Sequence, residues 1–161
     1  MNDVIKVGIA DMNVVRAPHS IRTAGLGSCV GVIIYDDINQ IAGLAHIMLP
    51  DSTMMKAGTI NVAKYADTAI SKLIDNLNKV GASSRLKAKM AGGAEMFKFT
   101  SNANMMRIGP RNVEAVKEQL RKFRIPILAE DCGGNSGRTI EFFPETSILM
   151  VRTVKQGVKE I

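Results

Sequence analysis

Two runs in the first third of the chain are apolar at nearly every position, residues 29–35 and 40–49. A strand with one wet face alternates, so unbroken runs predict strands covered on both sides, at the centre of a layered fold. Residues 36–39 (Asp-Asp-Ile-Asn) have turn composition, and Pro50 closes the second run. The pattern then changes period. Val62, Ala66, Ala69, Ile70, Leu73, Ile74, Leu77 and Val80 recur every three or four positions, predicting a helix over 61–80 with one buried face. Gly81 stands where a left-handed cap is expected, with Lys79 in the last turn.

Val113, Val116, Leu120 and Phe123 predict a second helix over 112–123. Asn112 is its expected N-cap and Pro126 lies beyond its end. Shorter runs predict strands at 4–9, 21–24, 85–90, 105–108, 127–130, 139–142 and 148–154. Residues 11–20 read as irregular, 51–58 as a polar loop, and Gly92-Gly93 as the start of a short helix or turn ending near Phe97. Strands cluster at both ends with helices between. The expected class is α+β, with layered, largely antiparallel sheets (sandwich-like) and helices packed on them.

The chain has 161 residues, 46% hydrophobic and 22% charged, which fits one folded domain over 1–161. No apolar run approaches the ~20 residues of a membrane span, and the N-terminus lacks the pattern of a signal peptide, so the expected compartment is the cytoplasm. A reducing compartment argues against a disulfide between Cys29 and Cys132. The two cysteines, with His19 and His46, lack the close-pair spacing of a zinc site, so no metal is expected. The net charge of +6 suggests an acidic partner. The basic residues are scattered, however, and aromatics few, which speaks for a solvated basic surface rather than nucleic-acid binding.

Candidate chemistry centres on Cys29. Gly25, Gly27 and Gly31 surround it, and a Gly-rich turn entering a strand leaves backbone N–H groups unobstructed for a developing oxyanion. If 29–35 and 40–46 form a hairpin around a four-residue loop 36–39, Tyr35 pairs with Gln40 and Cys29 with His46. Directly opposed Cβ atoms lie roughly 4.5–5.5 Å apart, within reach for a thiol and an imidazole. A one-residue slip would put the two on opposite faces. In that pairing His46 lowers the thiol pKa and later protonates a leaving group, and Thr23 is placed to orient the ring. A lone cysteine in an apolar run is also, and more often, a small buried hydrophobe, and both readings stand on pattern alone. His19, after Pro18, reads as surface. Residues 130–138, containing Cys132, read as a Gly-rich loop between strands, with an anion-binding nest as the alternative. Residues 96–99 and Met105-Met106 read either as adaptable partner surface or as core.

Residues 25–30 (Gly-Leu-Gly-Ser-Cys-Val) and 45–50 (Ala-His-Ile-Met-Leu-Pro) resemble the CheD family of chemoreceptor glutamine deamidases. The likeness continues through 64–67, 89–97, Ile108-Gly109, Arg111-Asn112, residues 133–135 and Arg138, nearly the whole chain. The resemblance implies a protein-glutamine glutaminase, a cysteine amidohydrolase, with Cys29 as nucleophile, His46 as acid and base, and Thr23 as the third member. Backbone N–H groups around Gly27, Ser28 and Cys29 would hold the oxyanion, and Cys132 has no role. No cofactor or metal is implied. The implied fold is that of the cytotoxic necrotizing factor-type deamidases. The implied partners are chemoreceptor helices as substrate and the CheC phosphatase, which acts on phosphorylated CheY and which family members stimulate. Loop 51–58 could gate access, the basic side of helix 112–123 could meet acidic receptor helices, and hydrolysis of receptor methyl esters is a conceivable side activity. The alternative is a non-catalytic regulatory module for CheC and receptors.

Overall fold

Strands β4 (Val30–Asp36) and β5 (Ile41–Ile47) are buried at all seven positions each, as their unbroken apolar runs predict. The computed structural model describes residues 2–54, 58, 60–96 and 107–161. Among these, β4 and β5 lie within a five-stranded sheet whose other members are β2 (Met12–Arg16), β6 (Lys87–Gly92) and β7 (Ile127–Cys132), in the order β2-β5-β4-β6-β7. A second sheet has the order β1 (Val4–Lys6), β3 (Ser20–Leu26), β8 (Arg138–Phe143), β9 (Ile148–Thr153) and β10 (Gly157–Glu160). Pairs β1/β3 and β6/β7 are parallel and the rest antiparallel.

Strand alternation sorts the apolar side chains into two cores. Val30, Val32 and Ile34 of β4, with Ala45 and Ile47 of β5, pack against Ala69, Ile70 and Leu73 of helix α1 (Ala66–Lys79) and Val116 and Leu120 of helix α2 (Ile108–Lys122). Ile33 and Tyr35 of β4, with Ala42 and Leu44 of β5, face the other way and pack against Leu26, Ile140, Phe142 and Val151 of the second sheet. The layers are therefore sheet, sheet, helices, the α+β class expected. No described helix is long and apolar enough to cross a membrane.

Several boundaries differ from expectation, each for a visible reason. Helix α1 starts at Ala66 rather than near 61. Met48 and Leu49 N–H groups both donate to Lys64 O, and Leu49 bridges Tyr65, so tertiary pairing extends the chain there after a single 3-10 turn at Val62–Lys64. Its C-terminus is the cap expected at Gly81, with Gly81 N donating to Asn78 O and Ala82 N to Leu77 O. Helix α2 starts earlier than expected, at Ile108, so that residue is helical rather than strand, and Met105-Met106 lie outside the described residues. The N-cap is Arg107, not Asn112, which lies fully buried inside the helix. Pro110 fits because the first turn needs no N–H donor.

The stretch read as irregular contains β2, an edge strand whose Met12 and Val14 pack toward the helical core while Val15 faces the opposite one. Strand β10 went unread because all four residues are exposed and carry no apolar alternation.

Candidate active site

The hairpin of β4 and β5 sets the relation between Cys29 and His46, and its turn decides the register. The Asp36 carboxylate is buried and accepts from the N–H groups of Ile38, Asn39 and Ser83 and from Asn39 Nδ2. Burial raises its pKa, but these hydrogen bonds prevail and hold it well below the usual carboxylate range. Asp36 therefore belongs to the strand and pairs with Ile41, and the four-residue loop is 37–40 rather than 36–39, with Gln40 at φ 54°. Every pairing moves by two from the expected register: Tyr35 opposes Ala42, and His46 opposes Gly31, not Cys29. A shift of two preserves the face. Cys29, two residues before Gly31, precedes the strand and packs with the inter-sheet core, the side to which Leu44 and hence His46 belong. The two are diagonal neighbours, not a direct pair.

Gly31, opposite His46, makes room for the second sheet. A Cβ at this position would stand 2.6 Å from Ile140 Cδ1 and 3.1 Å from Leu26 Cδ1. The glycine thus lets the second sheet approach where the site lies.

His46 is fully buried. Its backbone is fixed from the side of the chain just before β2, its N–H donating to Asp11 O at 3.0 Å and its carbonyl accepting from Ala10 N at 3.1 Å. Across the sandwich, Thr23 Oγ1 lies 2.7 Å from His46 Nδ1 and 2.7 Å from Val7 O. A carbonyl only accepts, so the Thr23 hydroxyl donates to Val7 and receives Nδ1–H from His46. This assigns the tautomer: Nδ1 carries the proton and Nε2 presents a lone pair. Nε2 is buried and has no hydrogen-bond partner among the described residues. Burial lowers the His46 pKa from 6.5 to about 4, so the ring is neutral at pH 7.

Burial raises the Cys29 pKa, with its own backbone N–H acting on the sulfur in the opposite direction. The resting pair favoured here is thiol and neutral imidazole, rather than the preformed ion pair that close opposition would give.

The turn carrying Cys29 is held from several sides. Cys29 O accepts from Gly93 N at 2.8 Å, and Gly27 O from Ala94 N at 2.9 Å. Gly92 has φ 115°, and a Cβ there would run into Cys29 O. Met96, 44% exposed, lies against Gly27. Arg138 is buried, its Nε on Asp131, Nη1 on Gly92 O and Nη2 on Gly133 O. All three of its nitrogens thus tie the 133–138 loop to its surroundings, which supports the loop reading over an anion nest. Neither Arg138 nor Val7 O was legible as site support, because both act through backbone carbonyls that leave no residue-type signal.

The remaining candidates lie elsewhere. His19 is partly exposed and accepts from Asp3 N. Cys132 is a free thiol in β7, and burial, the largest influence, pushes its pKa up to about 12, which suppresses nucleophilicity. In loop 51–58, Ser52 is anchored to Asp67 through its N–H and hydroxyl, while 55–57 lie outside the described residues, as do Phe97, Lys98 and Phe99.

The family model "CheD chemotactic sensory transduction" matches residues 48–153. That match lies downstream of Thr23, Cys29 and His46, which full-length relatives do cover. A "Chemoreceptor glutamine deamidase CheD" of Halalkalibacterium halodurans is 66% identical over 162 residues, covering 100% of both chains. One of the same description from Bacillus subtilis is 60% identical over 98% of this chain and 96% of its own. A "Probable chemoreceptor glutamine deamidase CheD" of Lachnoclostridium phytofermentans is 55% identical over the full length of both. Identity of this extent over whole chains, together with the family model's match across most of this one, shows that the chain belongs to the CheD family.

Proposed function

We propose that this chain hydrolyses the side-chain amide of chemoreceptor glutamines to glutamate and ammonia, with Cys29 as nucleophile, His46 as general base and acid, and Thr23 as orienter of the ring. One observation carries the assignment of residues. The Thr23 hydroxyl holds His46 Nδ1–H at 2.7 Å and leaves a buried, unpartnered Nε2 lone pair on the face that Cys29 shares.

The steps follow from that tautomer. Nε2 takes the Cys29 thiol proton as Sγ attacks the amide carbon. Backbone N–H groups of the 27–29 turn receive the oxyanion, with that of Cys29 foremost. The imidazolium gives its proton to the amide nitrogen, the C–N bond breaks, and ammonia leaves a thioester. Water then adds to the thioester carbon, passing a proton to Nε2. Collapse releases the carboxylic acid and returns that proton to the sulfur. No step requires a metal or cofactor. Each turnover adds one negative charge to a receptor helix, which alters its electrostatic packing.

The same face serves as the binding site for the CheC phosphatase, in competition with receptors, within a single domain over 1–161 acting in the cytoplasm. The competing reading, a regulatory module that binds without turnover, is separated by one experiment. A chemoreceptor cytoplasmic fragment is incubated with the protein and with Cys29→Ala, and each glutamine is followed by mass spectrometry. Gln-to-Glu conversion by the unmodified protein alone supports the deamidase. Binding of receptor or CheC without conversion by either favours the module.

A further inference from the structure

We infer that Asn112 is a positioning residue for this reaction, its side-chain amide fixing the peptide unit whose N–H meets the oxyanion. The inference rests on the deamidase reading above. Asn112 is fully buried on α2, beneath the central sheet, and Nδ2 donates to Ser28 O at 3.0 Å and Met48 O at 2.9 Å. A side-chain amide nitrogen has two protons and both are used, so the group cannot turn without breaking a bond.

The first acceptor matters most. Ser28 C=O and Cys29 N–H belong to one planar peptide. The one cis bond among the described residues is Ala17–Pro18, so this peptide is trans. In a trans peptide the carbonyl and N–H point in opposite directions. Holding the carbonyl toward α2 therefore turns the Cys29 N–H away from the helices, toward the inter-sheet side where Cys29 packs. An acyl carbon bonded to Sγ would place its oxygen beside that same N–H.

The second acceptor anchors the first. Met48 is two residues past His46, and its N–H is fixed on Lys64 O at 2.9 Å. One rigid amide thus ties the nucleophile's turn to the end of the strand bearing the base. Asn112 Oδ1 is buried without a partner among the described residues. An unsatisfied buried acceptor is unfavourable, and a plain packing role would be met at this position by an apolar side chain.

The test compares wild type with Asn112→Asp, which keeps the shape but loses the donors, and Asn112→Ser, which is small and neutral. Three quantities are measured: kcat and KM for deamidation of a receptor fragment, the rate of Cys29 alkylation by iodoacetamide, and the melting transition. Alkylation displaces iodide at a saturated carbon and forms no oxyanion. The expected result is a fall of about 100-fold in kcat, with KM and the alkylation rate within about 3-fold of wild type and a cooperative melt retained. An unchanged kcat overturns the inference. So does a parallel fall in kcat and alkylation, or loss of folding in both variants, either of which makes Asn112 purely structural. An inactive wild type overturns the deamidase reading itself, and that appears in the wild-type arm alone.

Discussion

Thr23 and His46 sit on different sheets and meet through a single 2.7 Å contact, Oγ1 to Nδ1, with the hydroxyl proton committed to Val7 O. Removing the acceptor while keeping the shape isolates its role. Thr23→Val should lower kcat/KM by about 10–100-fold, the range for loss of a group that orients an imidazole, while Thr23→Ser should retain most of the activity. Deamidation rates of the two variants, with melting curves as a control for folding, check this.

His46, neutral down to about pH 4 because of burial, makes a signed prediction for activity. In the proposed mechanism the lone pair that takes the thiol proton is present above that pKa and lost below it. The acidic limb of kcat/KM should therefore centre near 4 to 5, with no inflection near 6.5. A limb centred at 6.5 would show instead that burial does not lower the His46 pKa in the working enzyme.

The same shift links stability to pH. An unfolded histidine titrates near 6.5 and this one near 4, so between those values the unfolded chain binds more protons. Stability should rise as pH climbs from 4 to 6.5 and be indifferent to this group above it. The loss at the acid end is about 3 kcal/mol. Across that window, denaturant titrations should show wild-type stability changing by about this amount more than that of His46→Gln.

Gly92 carries a prediction about the support of the proposed nucleophile, Cys29. At φ 115°, with Cys29 O where a Cβ would go, Gly92→Ala must displace the Cys29 backbone or distort β6. Deamidation should be lost to a greater degree than stability. Mass spectrometry of the receptor fragment and a melt of the variant measure the two.

Asp36 sets the register through its four hydrogen bonds. In Asp36→Asn the new amide protons face donors. The variant should lose about 2–3 kcal/mol, the scale for spoiling a buried, charged hydrogen-bond set. In the wild type the carboxylate's contribution is present above the unfolded pKa near 3.9 and fades as pH falls toward its depressed folded value. Urea unfolding at pH 7 and at pH 3 should show the gap between the two proteins narrowing in acid.

The layered class was legible because burial leaves a strong pattern. The strand runs at Val32–Ile34 and Leu44–Ile47 and the three-and-four spacing from Ala66 to Leu77 each imply one arrangement. What stayed hidden was set by contacts distant in sequence. The exact register depended on Ser83 reaching Asp36, 47 residues away. The late start of α1 depended on Leu49 pairing with Tyr65. Asn112 carried the signature of a helix cap, because asparagine before an apolar stripe looks the same whether it bonds its own helix or a neighbouring turn. His46 and Cys29 were placed on one face by a pairing two residues off, and parity kept the face correct where the partner was not.

With His46 on one sheet and the Thr23 hydroxyl that meets it on the other, this contact works like a rangefinder. The separation it reads is set by Leu26, Ile33, Ile140 and Phe142, none of which carries a functional group. Side-chain volume in that filling is thereby coupled to the contact between Thr23 and His46. A methylene added or removed there is an adjustment of focus, felt first at the imidazole and only afterwards in the melting temperature.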